Sequence, residues 1–367
     1  MIVNRRAGLL ATIFALAWLA SCGGSSSGGG SGSAGRNAYV AVPGANVIAA
    51  YRVDTNSGNL NRVLGSPFPG GTSPIAIVIH PSGNYIYAAN QGGNDISLFK
   101  INHDTGELAE VMPRTPAGLN PAAIALSTAG DLLFVANQTA NTVSVYTVSS
   151  SDGSLTEAAG SPFATGARPA ALTVTPSGKF LYVASSNLPQ VFAYSVTSGT
   201  GSLTSVPGSP FTVGNGPSSM VVDPTEHFLY VANFISNTVS GMTIDSTSGA
   251  LTLTLDSPFA TGTSPIAVTL DPTGKVLYVT NISSNNVSAY SIDTGTGVAT
   301  ALDKSPFATG TRPVAATVDP ADKFLYVCNQ SSKNITKFVI NKDTGGLPSS
   351  SIVTTLDLAP TALVFAK

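Results

Sequence analysis

Charge is scarce in this chain of 367 residues: only 10% are Asp, Glu, Lys or Arg, against about 25% in an ordinary soluble domain. Ser, Thr and Asn supply the polar surface instead. Once Arg5 and Arg6 are removed with the leader described below, 15 basic residues face 19 acidic ones, a net charge of −4. No basic stripe is left to displace counterions, so a nucleic-acid partner is not expected. Cysteine is rarer still, at two residues, Cys22 and Cys328. No disulfide is expected between them, because Cys22 reads as a lipidation site and Cys328 takes a strand position held by Ala136, Ala184, Ala232 or Thr280 in sister segments. With no histidine near it in sequence, Cys328 reads as a small buried residue and not as a nucleophile.

Histidine numbers only three, His80, His103 and His227, and each takes a turn position. The few glutamates, Glu107, Glu110, Glu157 and Glu226, fall in turns or outer strands. No cluster has metal-ligand spacing and no paired carboxylates share a site, so neither a metal nor a cofactor is expected. A helical period of useful length is also missing, which leaves β structure to build the domain.

What the chain does have is repetition. Seven prolines, Pro74, Pro121, Pro169, Pro217, Pro265, Pro313 and Pro360, each precede a small-residue apolar run, at spacings of 47 or 48. A fixed period of that size lies near those of WD40 and kelch propeller blades, so several strands are expected per repeat. In the copy beginning at Ser257, Ile266 to Leu270 is a first strand and Asp271-Pro272-Thr273-Gly274 a tight turn. Val276 to Thr280 is a second strand, apolar on both faces, ended by Asn281. Val287 to Ile292 alternates more nearly, and Asp293 to Gly297 turns into Val298 to Leu302, the most polar strand. Burial should therefore fall from first strand to fourth.

The leader comes first in the chain. Arg5 and Arg6 precede an apolar run from Ala7 to Ala20, too short for a typical membrane span, so residues 1–21 read as a signal peptide for general secretion. Leu19-Ala20-Ser21-Cys22 resembles the bacterial lipobox, in which the cysteine is acylated and becomes the mature N-terminus. Gly23 to Gly35 is a Gly/Ser linker of 13 residues, a tether spanning about 20 Å as a coil. Its Gly30-Ser31-Gly32-Ser33-Ala34-Gly35 and Gly24-Ser25-Ser26-Ser27-Gly28 match dinucleotide and nucleophile-elbow patterns. Both are discarded, because those motifs need a strand before and a helix after them. The expected address is the cell envelope, on its extracytoplasmic side, with the membrane reached through the lipid on Cys22.

Residues 36–367 read as one all-β domain. At its N-terminus Ala38 to Val42, Val47 to Val53 and Leu60 to Leu64 match the second, third and fourth strands of a repeat, and the missing first strand stands at the other end as Pro360 to Phe365. Six complete repeats and this composite predict a seven-bladed β-propeller of four-stranded antiparallel blades, closed by pairing the C-terminal strand with the N-terminal ones. An open solenoid would need caps and has no reason to split a unit between termini.

The repeat carries a family resemblance. Tyr278-Val279-Thr280-Asn281 is the YVTN signature, with variants at Tyr230-Val231-Ala232-Asn233 and Tyr326-Val327-Cys328-Asn329. With its Asp-Pro-x-Gly turn, Val-Ser-x-Tyr strand and Thr-Gly-x-Leu turn into Ser-Pro-Phe, the unit resembles the seven-bladed propeller lactonase family, which includes propeller-type 6-phosphogluconolactonases. The resemblance implies a hydrolase of a sugar lactone, working through histidine, glutamate and arginine at the mouth of the channel. The motifs are shared with non-catalytic YVTN proteins, so an envelope binding or scaffold propeller, facing a protein or glycan, stands beside it.

Of that inherited set only the arginines have candidates here. Loops from fourth to first strand and from second to third should share the mouth face, and Arg168 and Arg312 take the position before the proline in blades 4 and 7. They are the expected ligand-binding residues, toward a small anionic ligand or sugar lactone, and no catalytic residue is assigned. The histidines should lie on the opposite face. Asn90, Asn137, Asn233, Asn281 and Asn329, at the start of the second loop set, are expected to bond local backbone. Blade 4 breaks this pattern with Ser185 to Gln190.

Overall fold

Each repeat becomes one twisted antiparallel sheet, and the computed structural model, which describes residues 36–366, holds seven of them. Blade 6 shows why. Its first strand, Pro265–Leu270, and second, Val276–Asn281, are apolar at nearly every position and are buried along their whole length. A strand apolar on both faces needs a sheet packed on each side, and in a ring every blade supplies that cover to its neighbours. The third strand, Asn286–Ile292, exposes Ser291, and the fourth, Ala299–Ala301, is largely exposed. First strands of adjacent blades pack around the axis, so burial falls outward as the composition demanded.

The fourth strand departs from expectation. In five blades it is broken in two: in blade 6 Ala299–Ala301 pairs with the C-terminal half of the third strand and Phe307–Ala308 with its N-terminal end. Between them lies Ser305-Pro306, and proline has no N–H to carry the ladder on. The serine of this turn is used instead: Ser305 Oγ accepts the Ala289 N–H at 2.9 Å, a contact repeated by Ser66, Ser161, Ser209 and Ser257. Blade 7, which has no such proline, runs unbroken over Ser349–Thr355, and so does blade 2 over Leu108–Pro116, where Pro113 follows Met112 and not a serine.

Closure is as the termini predicted. Ala362–Phe365 pairs antiparallel with Asn37–Val42, Val40 facing Leu363, so blade 1 takes its inner strand from the C-terminus. Across the seam to blade 7, Thr317 Oγ1 donates to the Leu363 carbonyl at 2.9 Å, and Arg36 pairs with Asp319 at 3.4 Å. Cys328 is free, and full burial pushes its thiol up to about 12, so it remains an inert core thiol. The expected leader, lipidation site and linker, residues 1–35, lie outside the described residues.

Candidate functional site

Two loop sets meet on one face of the ring and are stitched to each other in every complete blade. The residue before the proline holds a left-handed backbone: φ is 57° at Ser73, 59° at Asn120, 54° at Arg168, 66° at Gly216, 58° at Ser264 and 54° at Arg312. Its carbonyl accepts the N–H of the residue just past the second strand: Gln91, Gln138, Ser186, Phe234, Ile282 or Gln330. Except at Gly216, its own N–H is held by an asparagine of the preceding blade, as when Asn141 Oδ1 accepts from Arg168 at 2.7 Å and Asn285 Oδ1 from Arg312 at 2.8 Å. The two arginines are therefore fixed at equivalent rim positions by their backbone, whatever their side chains bind.

Those side chains meet glutamines. Arg168 Nη2 lies 3.4 Å from Gln138 Oε1 of blade 3, and Arg312 Nε and Nη2 both lie 3.4 Å from Gln330 Oε1 of their own blade. Among the described residues neither arginine has a carboxylate within salt-bridge distance; the ion pairs are Arg36–Asp319 and Arg114–Glu110. Gln91 Nε2 donates to Asn120 Oδ1 at 3.0 Å, extending the same polar rim through blades 2 and 3. Between Arg168 and Arg312 the rim changes character, because blades 5 and 6 place Phe234 and Ile282 where the other complete blades carry glutamine or serine. Both pack on the central apolar cluster that holds Ile266 and Val314. Between the two cations the rim thus turns apolar, through the half-buried Phe234 and the buried Ile282.

The second-strand asparagines do other work than expected. Each is fully buried, and its amide reaches across the hairpin to side chains of the third strand, not to local backbone. Asn281 Nδ2 donates to Asn286 Oδ1 and to Ser288 Oγ, both at 2.9 Å, and Asn90, Asn137, Asn233 and Asn329 repeat the pattern. A glycine of the neighbouring loop lies flat against each amide: a Cβ on Gly262 would come within 2.6 Å of Asn281 Nδ2. These amides tie the second strand to the third, while the Oδ1 atoms of Asn90, Asn137, Asn233 and Asn329 are buried without a partner. Blade 4 replaces the set, with Ser185 Oγ donating to the Ala167 carbonyl and Ser186 Oγ to that of Arg168 at 3.2 Å.

The histidines lie on the other face. His80 Nε2 contacts the Gly130 carbonyl at 3.1 Å, His103 Nε2 contacts Asn84 Oδ1 at 2.7 Å, and His227 sits against Thr225 at 3.0 Å, all within the turns joining first to second or third to fourth strands. Burial pushes the His80 imidazole down, so it stays neutral there. Among the described residues the mouth loops carry two carboxylates. Asp95 is taken by the Asn90 amide at 2.6 Å, while Asp357, in the loop that enters the composite blade, is exposed. Asp357 and the glutamine ring were passed over in the sequence; aligning the residue one past each second-strand asparagine exposes the glutamines.

Comparison with known proteins agrees with this geometry. A candidate 6-phosphogluconolactonase from Bacteroides fragilis superimposes with a TM-score of 0.80 at 20% identity, over 93% of this chain and 100% of that one. A second, from Bacteroides uniformis, gives 0.79 at 19% identity over 90% and 99%. The periplasmic gluconolactonase PpgL of Pseudomonas aeruginosa gives 0.76 at 20% identity, again over 90% and 99%. At such identities the likeness is one of fold. No curated protein matches the chain. The family described as lactonase, 7-bladed beta-propeller, matches in four overlapping stretches, residues 31–110, 62–162, 157–267 and 254–355. Since these together cover residues 31–355, the chain belongs to the seven-bladed β-propeller lactonase family.

Proposed function

We propose that the mouth takes a small anionic sugar-type ligand, in the class of sugar lactones and the acids they open to, and that the protein works in the cell envelope as a lipid-anchored, lactonase-like hydrolase. The observation that carries this is the pair Arg168 and Arg312: two guanidinium groups on the mouth face, without a carboxylate partner among the described residues, on either side of the Phe234–Ile282 sector. Arginine in such a place holds a carboxylate or phosphate by paired, charge-assisted hydrogen bonds, and the C–H face of a sugar ring suits the apolar sector. Hydrolysis would add water across the acyl C–O bond, giving a hydroxy acid, with an arginine stabilising the oxyanion of the tetrahedral intermediate. Asp357 is the exposed carboxylate on that face, and we assign it the activation of the water. Leu-Ala-Ser-Cys22 and the linker after it support the envelope address.

A second reading is favoured by one observation, that no imidazole stands on the mouth face. On that reading the propeller binds an envelope protein or glycan and turns nothing over. The test is a lactone-hydrolysis screen, with gluconolactone and its phosphorylated form, on purified residues 36–367 and their Asp357→Asn variant. Turnover lost in the variant supports the hydrolase; ligand binding without turnover supports the second reading.

A further inference from the structure

The face opposite the mouth holds a cleft of about 490 Å3 between blades 6 and 7, within the range of about 300–1,000 Å3 found for small-molecule sites. It lies among the hairpin turns, and one residue in it breaks the repeat. The fourth position of the turn after the first strand is glycine in four blades, Gly83, Gly130, Gly178 and Gly274, with φ of 77°, 78°, 74° and 71°. Blade 5 has Glu226 there at φ 62°, and blade 7 has Asp322 at φ 54°. The position faces the preceding blade's turn: a Cβ on Gly274 would meet Pro224 at 2.8 Å, and one on Gly130 would meet His80 at 2.5 Å.

Glu226 shows what a satisfied carboxylate does here, since its Oε1 accepts the Ser177 N–H of blade 4. Asp322, one methylene shorter, finds no such donor, and its Oδ1 is buried without a partner. Its neighbours make matters worse. Asp271 is engaged by its own turn, accepting from Thr273 and from the Val276 N–H at 2.7 Å, and Asp319 accepts from the Lys323 and Phe324 amides at 2.6 and 2.7 Å. Burial first, and then these two carboxylates, push Asp322 up to about 6, with Lys342 pulling the other way. A carboxylate that lines a cleft with one of its oxygens buried and unpartnered is a group waiting for a donor.

The rest of the lining narrows the ligand. Thr294, Thr344 and Asn341 offer neutral hydrogen-bonding groups. Of the two further carboxylates in the lining, Asp293 accepts from the Gly295 and Thr296 amides of its own turn, while Asp343 stands exposed at the rim. Lys275 and Lys342 have no carboxylate within salt-bridge distance among the described residues. No group of three or more His, Cys, Asp or Glu among the described residues could hold a metal ion. An ammonium needs only one carboxylate and a few neutral acceptors, and hydroxyls suit the threonines, asparagine and lysines. We propose that this cleft is a second binding site, separate from the mouth, for a small polyhydroxylated amine with the chemistry of an amino sugar, its ammonium held by Asp322.

The experiment is calorimetry at neutral pH with glucosamine, glucose and N-acetylglucosamine against residues 36–367, wild type, Asp322→Asn and Glu226→Gln. Asparagine tolerates the left-handed backbone, so Asp322→Asn keeps the turn, and its melt checks the fold. Glucosamine should bind the wild type and Glu226→Gln alike, at least tenfold more tightly than the two neutral sugars, and at least tenfold more weakly to Asp322→Asn. Arg168→Ala should leave that binding unchanged, which separates this site from the mouth. No glucosamine binding, equal binding by glucose, or equal binding by Asp322→Asn would overturn the proposal.

Discussion

The phenol of Tyr326 in blade 7 donates to the carbonyl of Gly58 in blade 1 at 2.7 Å, across the seam where the ring closes. Burial pushes the phenol well up, so it stays a donor at any physiological pH. The same bond joins the other blades, from Tyr39 to Gly106, Tyr87 to Gly153, Tyr182 to Gly249, Tyr230 to Gly297 and Tyr278 to Gly345. Blade 3 alone has Phe134 in that strand position. Closing the ring therefore repeats a contact already used within it. Tyr326→Phe should cost about 1 kcal/mol, because a buried carbonyl is left without its donor, and urea denaturation of the variant measures it.

The seam also rests on the C-terminal strand. Deleting residues 357–367 removes the strand paired with Asn37–Val42 and the carbonyl that Thr317 bonds, and exposes an unpaired edge at the centre of the ring. The loss should be a large part of a total stability of about 5–15 kcal/mol. A greatly lowered melting temperature and self-association on gel filtration are expected. A truncated chain that melts like the wild type and stays monomeric would contradict the closure.

Asp322 makes stability depend on pH in an unusual direction. Its folded carboxyl lies at about 6, against about 3.9 in an unfolded chain. Folding therefore favours the protonated form: the group's contribution is fully present below the unfolded value and is lost as pH rises through the folded one. Solvent screens a side chain that is only half buried, so the effect should be about 1 kcal/mol and not the full linkage value. Asp322→Asn should melt higher than the wild type at pH 7.5 and equal to it at pH 3.5. Equal melting at both values would show that the carboxyl is not perturbed.

The ring was legible because it is written in backbone chemistry repeated at a fixed period: the proline before each first strand, the turn glycines, and the asparagine after Tyr-Val-x. Even the closure could be read, from a first strand placed at Pro360 and its partners at Ala38. The broken fourth strand was less visible, since Val298 to Leu302 reads as continuous until Ser305-Pro306 is seen to interrupt the ladder. The asparagines were misjudged because their bonds run to residues five and seven positions on, across the hairpin. Ser97, Ser144, Ser240, Ser288 and Thr336 carry that spacing plainly. The mouth was read only in part, because its side chains come from single positions in different blades. Arg168 and Arg312 stood out as departures from Ser, Gly and Asn, while Gln138 and Gln330 did not. Asp322 was invisible for another reason: a residue that replaces glycine in a turn reveals its cost only when Asp271 of the preceding blade is seen beside it.

The address is tested at Cys22. If it is acylated, Cys22→Ala should move the protein from the membrane fraction to the soluble one, since the acyl chains supply the anchoring. Unchanged fractionation would remove the lipobox reading and with it the envelope tether.

The mouth is tested at the arginines, and their surroundings now sharpen the expectation. Each guanidinium is held loosely, at 3.4 Å from a glutamine oxygen, so an arriving carboxylate or phosphate has only a weak neutral contact to displace. Charge-assisted bonds to such a group contribute about 1.5–3 kcal/mol, which puts Arg168→Ala or Arg312→Ala at roughly tenfold to a hundredfold weaker binding. The two stand three blades apart around a ring of seven, on opposite flanks of the Phe234–Ile282 sector. A compact ligand should therefore depend on one of them, whereas a longer one spanning the sector should lose affinity with either. Calorimetric titration of phosphorylated sugar acids and aliphatic carboxylates against wild type, each single variant and the double variant reads this directly. Backbone bonds from Asn141 and Asn285 keep both loops in place when the side chains are cut, so a lost affinity would not be a lost fold. Equal binding by all four proteins, or none by any, would remove the anion site and leave the non-catalytic propeller as the better account of this mouth.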